Sequence, residues 1–245
     1  MSRKLLSYTA IGLVIGSTAI ADVPKVAVDI APVHSLVSRV MEGVGSPKLI
    51  IPAGASPHEY SLRPSEAKSI QDADMVIWMG EDLAPWMENS IETLSKNAEV
   101  ITLLEESGTK LLDFREGAFF EEHDHGDHDD HDDHDDDKDH DDHDKDHDDH
   151  DDHDDHGDHD GHAHGEHDPH AWLSTENAQT WLNLVAGKLS ASDPENAGVY
   201  FANAAAAREE INDLVKEVNS ILEPVRGRNF VVFHDAYQYF ETSFD

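Results

Sequence analysis

Sixteen of the chain's nineteen histidines lie in one stretch, from His123 to His170, which reads HDHGDHDDHDDHDDDKDHDDHDKDHDDHDDHDDHGDHDGHAHGEHDPH. Between Asp124 and Asp168 the same stretch carries 23 Asp and one Glu against two Lys, a charge of −22. Imidazole and carboxylate are the side chains that ligate divalent metals, so the chemistry written here is metal binding. The stretch has almost no apolar side chain to bury and cannot offset the entropy of folding, so it is expected to be disordered and solvated. Its ligands recur about every third residue: His123, His125, His128, His131, His134, His140, His143, His147, His150, His153, His156, His159, His162, His164 and His167. Many near-equivalent positions on a flexible chain predict several weak sites rather than one tight one. The alternative for the tract is a solvating acidic spacer.

Only His34, His58 and His234 lie outside the tract. His58 stands in a loop after a strand-like run, in GASPHEY, and His234 stands at the end of another, in FVVFHDAY. The tract ends in Asp168-Pro-His170-Ala-Trp-Leu, where Pro169 stiffens the chain and Trp172-Leu173 begin ordered structure, so His170 belongs to the folded part. Loops at the carboxyl ends of parallel strands are where α/β folds bind ligands. His58, His170 and His234 at such junctions make a three-imidazole set suited to zinc in a cleft. Taken singly, each could equally be a surface or capping histidine. His34 lies on an early helix and reads as structural. Glu59 and Asp235 each follow a candidate ligand, where they either orient an imidazole from behind or face water.

The elements that must position these residues follow from the pattern of the chain. Strands are expected at 23–30, 48–52, 75–80, 99–104 and 229–234, and helices at 32–41, 65–72 (with Ser65 as its N-cap), 85–96, 171–189, from Asp193-Pro194 to 222, and from 236. Strands alternating with helices predict an α/β fold with parallel sheets flanked by helices. The 193–222 helix, about 43 Å long at 1.5 Å per residue, reads as a rigid rod between two lobes. The expected organisation is a signal peptide at 1–21, an N-terminal lobe at 22–122, the His/Asp-rich loop at 123–167, the end of that lobe at 168–192, the linking helix at 193–223 and the start of a C-terminal lobe at 224–245. That second lobe reads as incomplete, and the sequence as a fragment of a longer protein.

Composition narrows the classes. There is no cysteine, which excludes thiolate zinc sites, disulfides and cysteine nucleophiles. The total charge is −36, so −14 remains outside the tract, which argues against nucleic acid and anionic membranes as partners. The N-terminus, MSRKLLSYTAIGLVIGSTAIA, has a basic start, a short apolar run and a small-x-small end before Asp22. This is the pattern of a cleaved secretory signal, and the run is too short to span a bilayer comfortably. Without a cysteine at the cleavage point no lipid is attached there, so a soluble exported protein is expected.

Four stretches together, GASPHEYSLRPSEAKSIQDADMVIWMG, the His/Asp-rich loop, DPHAWL and FVVFHDAYQYFE, resemble the periplasmic zinc-binding proteins of bacterial zinc-uptake ABC transporters, from about residue 23 to 245. The resemblance implies two α/β lobes joined by a long rigid helix, with the metal in the interlobe cleft on His58, His170 and His234. It implies a receptor, not an enzyme, that captures Zn2+ and hands it to an inner-membrane permease and, through it, an ATPase. A periplasmic monomer is expected. Some members of that group have an acidic ligand before the first histidine; here Pro57 stands there, and the fourth ligand is unassigned. In manganese receptors of the group the third position resembles Glu, whereas His234 stands here, and an all-imidazole set prefers zinc. The remaining alternatives are a manganese or iron receptor on the same scaffold, zinc storage by the tract, and a three-histidine zinc enzyme. No HExxH motif or adjacent base favours the last.

Overall fold

The computed structural model describes residues 22–115 and 167–244. The signal-peptide segment 1–21 and the tract histidines His123 to His164 lie outside the described residues.

Four short strands form one parallel sheet: β1 (Val26–Val28), β2 (Lys48–Leu49), β3 (Met75–Trp78) and β4 (Glu99–Thr102), in the order β2-β1-β3-β4. β1 and β3 are buried along their whole length, as expected for β-branched and apolar runs covered on both faces. Helices α1 (Ala31–Val40), α2 (Pro64–Gln71) and α3 (Pro85–Leu94) connect the strands. Each begins with proline in its first turn, where a missing N–H costs nothing. In α2 the N-cap is Arg63 and not Ser65, because Pro64 starts the helix one residue before the serine; the Glu66 carboxylate accepts the Arg63 N–H at 2.8 Å. Gly80 leaves β3 at φ +138°, a conformation that side chains rarely adopt, and a Cβ there would stand 3.2 Å from the Thr102 side chain.

After the tract, a 3₁₀ turn (Ala171–Leu173) leads into α4 (Thr175–Ser192), capped by Ser174, which accepts the Asn177 N–H. The expected single helix from 171 is therefore two pieces, broken where Ser174 takes an extended backbone. A second 3₁₀ turn (Pro194–Asn196) precedes α5 (Ala197–Leu222), 26 residues and about 39 Å long. Its first half packs on the core through Tyr200, Ala204 and Ala207, spaced as one helix face, while Leu214 and Ile221 farther along are exposed. Asp193, fully buried at the corner between α4 and α5, accepts from Tyr200 Oη and Asn196 Nδ2.

The expected strand at 229–234 is absent. No described strand lies beside it, and a strand exists only through hydrogen bonds to a neighbour. Phe230, Val231 and Phe233 are exposed instead. The chain then forms α6 (Gln238–Phe244), which packs against the 171–173 turn, α4 and α5 and places Tyr239 in the main core.

At the carboxyl end of β1, Asp29 is fully buried and accepts the N–H groups of Ile30 at 2.6 Å and Met79 at 2.7 Å, tying β1 to the end of β3. Burial raises its pKa from 3.8 to about 7, against the opposing pull of those N–H groups. The folded state thus holds this proton more tightly than the unfolded chain. The resulting stabilisation is complete below pH 3.8 and is lost as pH rises through about 7. Urea midpoints of wild type should therefore carry a falling component from about pH 4 to 7 that Asp29→Asn, which cannot ionise, lacks. Identical pH profiles for the two proteins would contradict this reading.

Candidate metal centre

His58, His170 and His234, separated by 112 and 64 positions in the chain, converge on one cavity. One ring nitrogen from each lies within 4.8 Å of the others. The ring centroids are 5.4 Å apart for His58 and His170, 5.4 Å for His170 and His234, and 6.1 Å for His58 and His234. Tetrahedral zinc with Zn–N near 2.0–2.1 Å needs nitrogens about 3.4 Å apart, so inward movements of about 1 Å complete the set.

Each histidine is placed by a different element. His58 sits in the loop between β2 and α2, outside the carboxyl ends of the strands, on the β2 side of the switch between β1 and β3. That loop is pinned on both sides of the ring. The Trp86 indole N–H donates to the Pro57 carbonyl at 2.8 Å, and Tyr60 Oη donates to Glu66 at 2.9 Å while its ring lies against Trp86. The pKa of His58 is lowered, first by burial and then by the charges that His170 and His234 would carry; a hydrogen bond to the Leu83 backbone opposes this. His58 therefore stays in the neutral, ligating form to lower pH than a free imidazole.

His170 is the anchor. It is 5 % exposed, and its Nδ1 lies 2.6 Å from the Asp168 carboxylate, which also accepts the His170 backbone N–H at 2.9 Å. An ionised carboxylate only accepts, so the proton resides on Nδ1 and the Nε2 lone pair faces outward. That Nε2 is buried and has no hydrogen-bond partner. A buried acceptor without a partner is costly, and a cation is the partner it is shaped to take. Asp168 is itself 2 % exposed, and its backbone carbonyl accepts from Tyr239 Oη at 3.0 Å. Behind His170, the fully buried Asn177 side chain donates to the carbonyls of Lys110 and Ala171 and accepts the Lys110 N–H.

The other expected residues separate. His234 is exposed and completes the triad from the segment before α6. Glu59 is exposed and lines the cavity with Glu81, Asp82 and Asp235, giving the mouth an acidic wall. Asp235 directs its carboxylate away from the imidazoles: both of its oxygens accept from Arg115. His34 lies apart, on α1, where Nε2 meets the Pro47 carbonyl and Nδ1 meets Ser38 Oγ. His167, expected as the last loop ligand, pairs through Nδ1 with Asp113 at 2.9 Å, and the two residues form an isolated antiparallel bridge. The residue unforeseen from sequence is Asp168; its signal was the Asp-x-His spacing, which lets one carboxylate reach both the ring and the backbone N–H of the residue two places on.

A family described as the periplasmic component A of the zinc-uptake complex, ZnuA, matches residues 26–245. Among curated relatives, the high-affinity zinc uptake system protein ZnuA of Paracoccus denitrificans is 52 % identical over 220 residues, covering 90 % of this chain and 64 % of the relative. The protein of the same name from Brucella abortus is 48 % identical over 229 residues, covering 94 % and 67 %. The chain thus spans about two thirds of the length of these relatives. Among solved structures, the Zn(II)-bound ZnuA-like domain of Streptococcus pneumoniae AdcA shares the fold with a TM-score of 0.61 at 22 % identity, covering 90 % of this chain and 64 % of that one. By the match over residues 26–245 and the identity to these relatives, the chain belongs to the family of periplasmic zinc-uptake component A, ZnuA.

Proposed function

We propose that this chain captures Zn2+ as the receptor of a periplasmic uptake system, with His58, His170 and His234 as its protein ligands. The observation that carries this is the orphaned, buried Nε2 of His170, fixed in its tautomer by Asp168 and aimed between two further imidazoles. Family membership and the zinc uptake named for its relatives support the same reading. The loaded receptor passes its ion to an inner-membrane permease powered by an ATPase. It reaches the periplasm after removal of residues 1–21 and works as a monomer without catalytic activity. No helix among the described residues is long and apolar enough to cross a membrane. The lobes divide at 22–122 with 168–192, the linking helix at 193–223 and a second lobe from 224. The tract at 123–167 holds further zinc weakly and keeps ions near the cleft. Three imidazoles favour zinc over the harder manganese ion.

Competition titration of the chain with zinc and manganese tests the reading. One tight zinc site, with manganese bound at least about a hundredfold more weakly, is expected. Affinity should fall as pH is lowered, since each imidazole must be neutral to bind. Equal or tighter manganese binding, or zinc binding independent of pH between 5 and 7, would sink it.

A further inference from the structure

We propose that Arg115 is the positioning residue of the third imidazole: its guanidinium clamps Asp235 and thereby holds His234 at the centre. This rests on the reading of His234 as a metal ligand. His234 stands in a segment without helix or strand, and its neighbours Val231 and Phe233 are 98 % and 104 % exposed. Neither ladder hydrogen bonds nor burial of those side chains fixes the ring. The residue after it is gripped instead. Arg115 Nε donates to Asp235 Oδ2 at 3.0 Å, and Nη2 donates to Oδ1. The same guanidinium reaches Glu241 on α6, with Nη1 to Oε2 at 2.7 Å and Nη2 to Oε1 at 3.3 Å.

The far end of this clamp belongs to the frame that holds His170. Arg115 belongs to the strap 111–115, in which the Leu112 N–H donates to Tyr239 Oη at 2.9 Å, and Tyr239 Oη donates to the Asp168 carbonyl. Asp113 of the strap bridges to His167. One side chain, 18 % exposed, therefore links the support of His170 to the residue beside His234. Two carboxylates outweigh its single positive charge, so the clamp does not repel a cation in the cavity. It also keeps the Asp235 carboxylate, which lines the cavity, occupied outside the imidazole set. A planar fork with five donors can make these four bonds to two carboxylates at once, and the three donors of a lysine cannot.

A double-mutant cycle on the full chain tests this, with zinc affinity read by competition against a chromophoric chelator and ligand geometry read from the visible spectrum of the Co2+ form. Arg115→Met should weaken zinc binding about 10–100-fold, as loss of an outer partner does, and Arg115→Lys should restore little of it. In the His234→Ala background the same Arg115→Met change should alter affinity by no more than about twofold, because the ring it serves is gone. The Co2+ spectrum of Arg115→Met should move toward that of His234→Ala. Asp235→Asn, which weakens the clamp from the other side, should reproduce the loss and add little to Arg115→Met. Equal losses in both backgrounds, or wild-type affinity in Arg115→Met and Asp235→Asn, would overturn the proposal. Absence of tight zinc binding in the wild type would instead overturn the function proposed above.

Discussion

Replacing His170 by alanine is expected to lower zinc affinity at least about a hundredfold, more than the 10–100-fold cost of losing an outer partner. Of the three histidines it is the one whose ligand atom is already stripped of solvent and hydrogen bonds. Its orientation is set before binding, because Asp168 holds the ring and the backbone N–H of His170 and Asn177 fixes the carbonyl of the next residue, Ala171. Asp168→Ala should give a smaller loss, within 10–100-fold, since the ring remains but its tautomer and direction are released. The order of the two effects is the diagnostic. Isothermal titration at pH 7 measures both, and a His170→Ala affinity within threefold of wild type would rule out His170 as a ligand.

Trp181→Ala is expected to destabilise the fold by about 3–5 kcal/mol, the range for emptying a large buried aromatic site, and to lower Tm by about 10 °C. Trp181 is 1 % exposed on α4, and its indole N–H donates to Thr109 Oγ1 at 2.9 Å. Thr109 Oγ1 in turn donates to the Leu103 carbonyl at 2.7 Å, so the tryptophan fastens α4 to the chain leaving β4. Helix α4 begins directly after the turn that follows His170, so the site depends on this packing. Trp181→Phe keeps most of the volume and loses the hydrogen bond, a cost of about 1 kcal/mol. Thermal unfolding without metal measures both. Saturating zinc should raise Tm in wild type and in both variants, since the ligands themselves are intact.

How much of this was legible in the sequence differs from element to element. The sheet was, because buried parallel strands such as Met75–Trp78 are unbroken apolar runs and each connecting helix has a proline in its first turn. The approach of His58, His170 and His234 was legible as three histidines at junctions, each tied to a local motif. Their supports were not. Asp168 looked like one more acid of the tract, where Asp-x-His spacing recurs, and its burial is evident only from the fold. Arg115 and Asp235 are 120 positions apart, and no local pattern reports such a pair. Adjacency to a histidine left Asp235 either orienting the imidazole or facing water, and the arginine that takes both its oxygens had no local signal. The run NFVVF has strand composition, yet strand propensity is a preference for a pleated, half-buried surface, and no described strand adjoins it.

On the proposed function, the tight metal site is made by the fold and not by the histidine tract that announces metal chemistry. Deleting residues 124–166 leaves His167, Asp168 and His170 in place and removes 13 histidines. Zinc titration of the deletion variant beside the full chain decides the matter. One tight site with unchanged affinity, and loss of the weaker sites only, is the predicted result. Disappearance of the tight site in a variant that still folds would contradict the account.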